Sequence, residues 1–217
     1  MIIKIYEIIN IFSASMPYYA QIKKFESTGS SEGYSLYLTL FILVASSLRI
    51  FFWFGKPFDI SLVLQSVLMI LTHLRLISKY IQFRQFENNK QSFWNWANFS
   101  NYLTTVLGFN VVVGLVSVLV LRDSVYWFEI VGSVSTFIEA VLVFPQIIEL
   151  HRNKNSDNIS LILVLSWLLG DFIKLYYFVV SNSPVQFILS GTMQIILNVV
   201  IFLQFLYYKK GEKVKDK

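Results

Sequence analysis

The sequence predicts an all-α transmembrane protein: seven helices, arranged 3+1+3 as two parallel triple-helix-bundle repeats joined by one linker helix. Three observations carry this. First, 55% of the 217 residues are hydrophobic and 14% are charged, with a mean hydropathy of +0.59. A chain this apolar cannot hide its surface from water, so lipid is its solvent. Second, apolar stretches of spanning length recur along the chain. Third, the sequence repeats. Laid over each other without a gap, residues 20–54 and 145–179 share Gln21/Gln146, Ile22/Ile147, Ser31/Ser156, Ser35/Ser160 and Leu36/Leu161, at an offset of 125 positions. Glu32 falls on Asp157 and Arg49 on Lys174. Shared leucines are cheap in apolar helices, whereas the shared Gln, Ser and charge matches mark an internal duplication.

The predicted spans are 5–22, 33–54, 60–79, 99–121, 125–148, 158–180 and 184–208. The first is short and flecked with Glu7 and Asn10. It lacks a small-residue cleavage site and is read as a retained helix. Residues 55–59 and 181–183 leave room only for tight hairpins. Three helices end on the side opposite to their start, so two triplets of the same orientation need one helix between them, and 99–121 is that helix. The expected organisation is therefore residues 1–80 as the first triplet and 81–98 as a cytosolic amphipathic linker with tryptophan anchors at the interface. The linker helix 99–121, the second triplet 125–208 and a basic cytosolic tail 209–217 follow.

Charge sets orientation. Lys23, Lys24, Lys79, Arg84, Lys90, Arg152, Lys154 and the tail lysines lie on one side, against Lys4, Lys56 and Arg122 on the other. The positive-inside rule then puts the N-terminus in the lumen and the C-terminus in the cytosol. The net charge of +5 fits contact with anionic lipid heads, and no nucleic-acid partner is expected. Cysteine is absent, and two histidines without an acidic cluster point to no metal site and no cofactor. No G-x-S-x-G, phosphate-binding glycine loop or metal-spaced His pair occurs, so the chain reads as a non-enzyme.

Pro145 removes a backbone donor inside an apolar helix. The freed carbonyls and the Gln146 amide are tolerable at membrane depth only where protein or water satisfies them. A hinge for access and a static packing kink are the two readings. In the first copy Ala20 replaces this proline, and Pro17, three residues before it, must supply any hinge beside Gln21. At about 1.5 Å rise per residue, Asp171, Glu139 and His73 fall near the bilayer midplane, where ionisable groups are costly and become functional candidates. Asp171 and Lys174, spaced i, i+3, can neutralise each other. Glu139 lacks a partner within a turn. Arg49 and Lys174 can bind phosphate or carboxylate heads, or snorkel to the interface like Arg75. His73 reads as a satisfied packing histidine or a group on the substrate path. Asn110, Gln194 and Asn198 suit interhelical hydrogen bonds.

The second-copy string Phe144-Pro145-Gln146-Ile147 through Ser156-Asp157-Asn158-Ile159-Ser160, with the 3+1+3 duplication, resembles the PQ-loop family. That family includes lysosomal cystine and cationic amino-acid exporters and is related to the SWEET sugar transporters. Further strings are similar to the solute carrier 66 member-two branch of endomembrane PQ-loop proteins. They are Leu48-Arg49-Ile50-Phe51-Phe52-Trp53-Phe54-Gly55, Phe93-Trp94-Asn95-Trp96, Gly170-Asp171 and Pro184-Val185-Gln186-Phe187. The resemblance implies an ATP-independent phospholipid scramblase serving endosome and Golgi lipid asymmetry and traffic. Its expected path is Glu139, Asp171, Lys174, Arg49 and His73, with hinges at Pro145, Gln146, Gln21 and Pro17. Phospholipids are the implied partners, with a homodimer and coat or trafficking factors at the tail as further candidates. Golgi or endosome, lysosome or an ER-cycling route are the implied membranes. A proton-coupled exporter of a small solute such as an amino acid, and a trafficking adaptor, are the alternatives.

Overall fold

The computed structural model describes residues 8, 11–31, 34, 36–84, 93–120, 124–142, 144–153 and 161–215. Among them every element is helical. In chain order these are α1 Met16–Thr28, α2 Leu36–Gly55, α3 Ile60–Phe83 and α4 Phe99–Leu115, which continues as a π-helical turn Val116–Val120. Then come α5 Val125–Val141, α6 Phe144–Asn153, α7 Leu161–Val180 and α8 Val185–Lys215. Four helical stretches among the described residues are long and apolar enough to cross a membrane: Leu36–Gly55, Ile60–Phe83, Phe99–Leu119 and Val185–Tyr208.

The repeat read from the sequence is also a repeat of helix boundaries. Helices α2 and α7 start at Leu36 and Leu161 and end at Gly55 and Val180. Helices α3 and α8 start at Ile60 and Val185. Each pair is separated by the same 125 positions as the sequence frame. Among the helix starts, the frame slips only in the first helix of each triplet. There α1 starts at Met16 and α6 at Phe144, and Pro17 and Pro145 are each the second residue of their helix. Proline is tolerated in a first turn because its missing N–H would have no intrahelical acceptor there.

Both of these spans are therefore broken, where single helices over 5–22 and 125–148, hinged or kinked at Pro17 and Pro145, were expected. Residues 11–13 are helical, and Ala14 and Ser15 form a turn before α1. Ser15 Oγ donates to the Phe12 carbonyl at 2.8 Å. In the second copy α5 stops at Val141, and the Leu142 N–H reaches the Glu139 carbonyl at 3.4 Å before α6 begins.

The chain divides into two compact units, Met1–Ser135 and Thr136–Lys217, and the division falls within α5. In the first unit α3 packs on α1 and α2, and α4 packs on α2 and α3. Leu36, Leu43, Ile77, Trp94, Tyr102 and Val106 form one core cluster, and Ile22, Phe25 and Leu76 another. Asn110 Nδ2 donates to Ser47 Oγ at 3.1 Å, an interhelical bond from α4 to α2. The start of α5 lies close against α2: a Cβ on Gly132 would stand 2.7 Å from the Phe52 ring. In the second unit α8 packs on α6 and α7, around Leu150, Val164, Ile201 and Phe205.

Several expected boundaries move. Helix α1 continues through Lys23 and Lys24 to Thr28, and α3 runs to Phe83, past Lys79. Residues 209–215, expected as a tail, continue α8 to Lys215. Charged side chains do not end a helix; they end only its apolar face. Trp94 is no interfacial anchor. It is 1% exposed and packs edge-on against Tyr102 with ring centroids 5.1 Å apart. The Tyr102 hydroxyl accepts from the Trp96 N–H at 2.7 Å, which folds this segment onto α4. Linker residues 85–92, and Ser35 and Ser156–Ser160 of the repeat motif, lie outside the described residues.

Candidate functional site

In the second unit the antiparallel helices α7 and α8 bring two charges and two amides together. Asp171 and Lys174 are one turn apart on α7. Gln194 and Asn198 are one turn apart on α8. The Asn198 amide donates to Oδ2 of Asp171, and Lys174 Nζ donates to Oε1 of Gln194 at 3.3 Å. Lys174 also lies over the Phe178 ring, 5.7 Å from its centroid. The tight turn at 181–184 fixes this register, with the Ser183 N–H bonded to the Phe178 carbonyl at 3.0 Å. Both amides are buried, while Asp171 and Lys174 are half-buried. Each charge is thus bonded across to the neighbouring helix, while the two also stand one turn apart on α7. Among apolar helices such bonds fix which faces meet. Glu139 is half-buried on α5, one turn before the helix break.

The first triplet holds a counterpart. Arg49 is 4% exposed and donates from Nη1 to Oε1 of Gln65 at 3.3 Å. It does not snorkel to an interface. Both repeats therefore bond a cation late in their second helix to a glutamine on their third. Gln194 lies one helical turn further along α8 than the residue equivalent to Gln65. The other positions differ: in the 125-residue frame Glu139, Asp171 and Asn198 fall on Ala14, Ser46 and His73. His73 is fully buried, with its ring centroid 4.2 Å from that of Tyr18. Neither ring nitrogen has a hydrogen-bond partner among the described residues, so it is not the satisfied packing histidine expected.

Among the hinge candidates, Pro17 is exposed and Gln21 half-buried on α1. Pro145 and Gln146 occupy the first turn of α6 by backbone, and their side chains lie outside the described residues. Gln65 was missed in the sequence. Its only signal was a polar residue in an apolar span, and the pairing with Arg49 needs the packing of α2 on α3.

The broken, duplicated triplets and the apolar spans with polar pairs inside them define a class: a multi-pass, all-helical membrane protein. Residues 127–187 match the family model of the PQ loop repeat. A solved eukaryotic SWEET transporter shares the fold with a TM-score of 0.67, over 95% of this chain and 99% of that one, at 16% identity. The resemblance read from the residues and the seven-helix, triple-repeat fold are thereby shown.

Particular relatives follow. The chain is 22% identical to the scramblase ANY1 of Saccharomyces cerevisiae, over 91% of this chain and 69% of that protein. It is 27% identical to the vacuolar histidine transporter YPQ3 of the same yeast, over 38% of this chain and 28% of the relative. It is 31% identical to the vacuolar lysine transporter YPQ1, over 38% of this chain and 27% of that protein. Membrane transport within the PQ-loop family is the function these likenesses support in common.

Proposed function

We propose that this chain is an ATP-independent phospholipid scramblase of endomembranes, with its working groups in the second triplet. The observation that carries the proposal is the half-buried Asp171 and Lys174, each bonded to a buried amide on α8. A zwitterionic head group crossing the apolar core needs an anion partner for its amine and a cation partner for its phosphate. Asp171 and Lys174 offer both one turn apart, while the lipid tails stay in hydrocarbon. Gln194 and Asn198 hold these charges oriented when no head group is present. Glu139, one turn before the break between α5 and α6, is proposed to line the same path. Arg49 and His73 are proposed to serve it from the first triplet. Similarity to the scramblase ANY1 over most of the chain supports this reading. The test is reconstitution of the purified protein into liposomes holding fluorescent phospholipid. A membrane-impermeant quencher should reach lipid of both leaflets. Protection of the inner half equal to that in empty liposomes would refute the proposal.

A second reading, proton-coupled export of a small solute such as an amino acid, is favoured by the local likeness to the two vacuolar transporters. It makes Asp171 the proton carrier. The readings separate on acid-driven uptake across a panel of amino acids: only the exporter shows uptake that Asp171→Asn abolishes.

A further inference from the structure

A groove of about 390 Å³ lies between α1, with the residues just before it, and α3. Its lining includes Phe12, Met16 and Tyr19 on one side and Leu68, Leu71 and Arg75 on the other. Phe12, Met16, Tyr19 and Leu71 are all about half exposed or more, so the groove opens outward. It spans eleven residues, ten steps of the chain, from Phe12 to Ile22. At ~1.5 Å per residue this is about 15 Å, half the hydrocarbon thickness of a bilayer.

The groove is charged at one end only. Arg75 is exposed and makes no hydrogen bond or ion pair among the described residues. It lies eight residues inside the end of α3 and four before the end of the predicted apolar span 60–79, where its long side chain can reach the interface. Tyr19, which lines the groove with Arg75, carries a second cation: Lys23 Nζ lies 5.1 Å from the centroid of its ring. An arginine fork in the lining and an ammonium on the ring of a lining tyrosine are the donors that phosphate recognition uses. An apolar channel one leaflet deep runs away from Arg75.

We infer that this groove is a phospholipid-binding site: one acyl chain lies along Phe12, Met16, Leu68 and Leu71, and the head-group phosphate sits on Arg75 and Lys23. The site belongs to the first unit and shares no residue with the α7–α8 pairs. It needs only that the chain sits in a bilayer, so it stands or falls apart from scrambling.

The test uses the full chain reconstituted in phosphatidylcholine vesicles containing a trace of phospholipid with a photoactivatable acyl chain. Cross-links are mapped by mass spectrometry. Label should concentrate on peptides holding Met16–Tyr19 and Leu68–Leu71. Arg75→Glu, which repels the phosphate, and Leu71→Trp, which fills the channel, should each lower that label at least fivefold without changing label on α8. Arg75→Lys should keep most of it. A matching diacylglycerol probe, which lacks the phosphate, should label the groove several-fold less. Label spread over all exposed helices, groove label indifferent to both variants, or equal labelling by the diacylglycerol would each overturn the inference. Groove labelling in a protein that does not scramble would leave this site standing and remove the proposed function.

Discussion

At the scale of single residues, the second triplet holds two opposite charges by amides from a neighbouring helix. Asn198 bonds Asp171 and Gln194 bonds Lys174. An interhelical hydrogen bond between membrane helices contributes about 0.6 kcal/mol on average. Asn198→Ala should therefore lower thermal stability in detergent only slightly, while it frees the Asp171 carboxylate to move. A loss of several kcal/mol would make the pair structural and not functional. Arg49 is a different case, because it is buried and its guanidinium is bonded to Gln65. Arg49→Met should cost about 1.5–3 kcal/mol, the range for a hydrogen bond to a charged group, read as a lower melting temperature. The candidate charges were legible in the sequence because an ionisable group at midplane stands out against leucine. Their partners were not. Asn198 and Gln65 become partners only once α8 lies on α7 and α3 on α2, and no local pattern encodes that choice.

At the scale of elements, the first helix of each triplet is broken, and a proline stands second in the piece that follows. Pro17 thus does in the first copy what Pro145 does in the second, three residues earlier in the repeat frame. If the breaks are hinges, Pro145→Ala should allow α5 to run on into α6 and slow transport several-fold, with little change in melting temperature. Spin labels placed on either side of Leu142 should then report a longer, more uniform separation. An unchanged rate beside a joined helix would leave the break a packing feature. Close packing of α5 on α2 gives a second check. Gly132→Val places a side chain where the Phe52 ring already lies, and such overpacking costs about 1–3 kcal/mol. The offset of 125 relates the starts of α2 and α7, and of α3 and α8, to the residue, while the predicted starts at 33, 158 and 184 fell three, three and one residues before the observed ones. Breaks and ends were harder. Hydropathy follows the apolar face, while the backbone helix continues through Lys23 and Lys24, and again through residues 209–215. Trp94 misled because an aromatic beside a basic segment looks interfacial until its ring finds Tyr102.

At the scale of the whole molecule, two similar triplets carry unlike chemistry at matching positions. Glu139, Asp171 and Asn198 stand where the first copy has Ala14, Ser46 and His73. A duplicated frame keeps the helices in place while each half changes its polar groups. The proposed orientation, N-terminus luminal and C-terminus cytosolic, follows from the loop lysines and arginines. Protease added outside intact endomembrane vesicles should remove a tag at Lys217 and spare one at Met1; the reverse pattern would invert the assignment. The central claim is that phospholipid crosses along the charged pair of the second triplet. The most direct measurement compares scrambling rates per folded protein in liposomes for wild type, Asp171→Leu/Lys174→Leu and Arg49→Met. The account predicts at least a tenfold fall for the double variant, equivalent to about 1.4 kcal/mol or more of added barrier. For Arg49→Met, which serves the path only from the first triplet, it predicts a smaller fall, about threefold once unfolded protein is removed, or about 0.6 kcal/mol of barrier. A double variant that scrambles at the wild-type rate would contradict it.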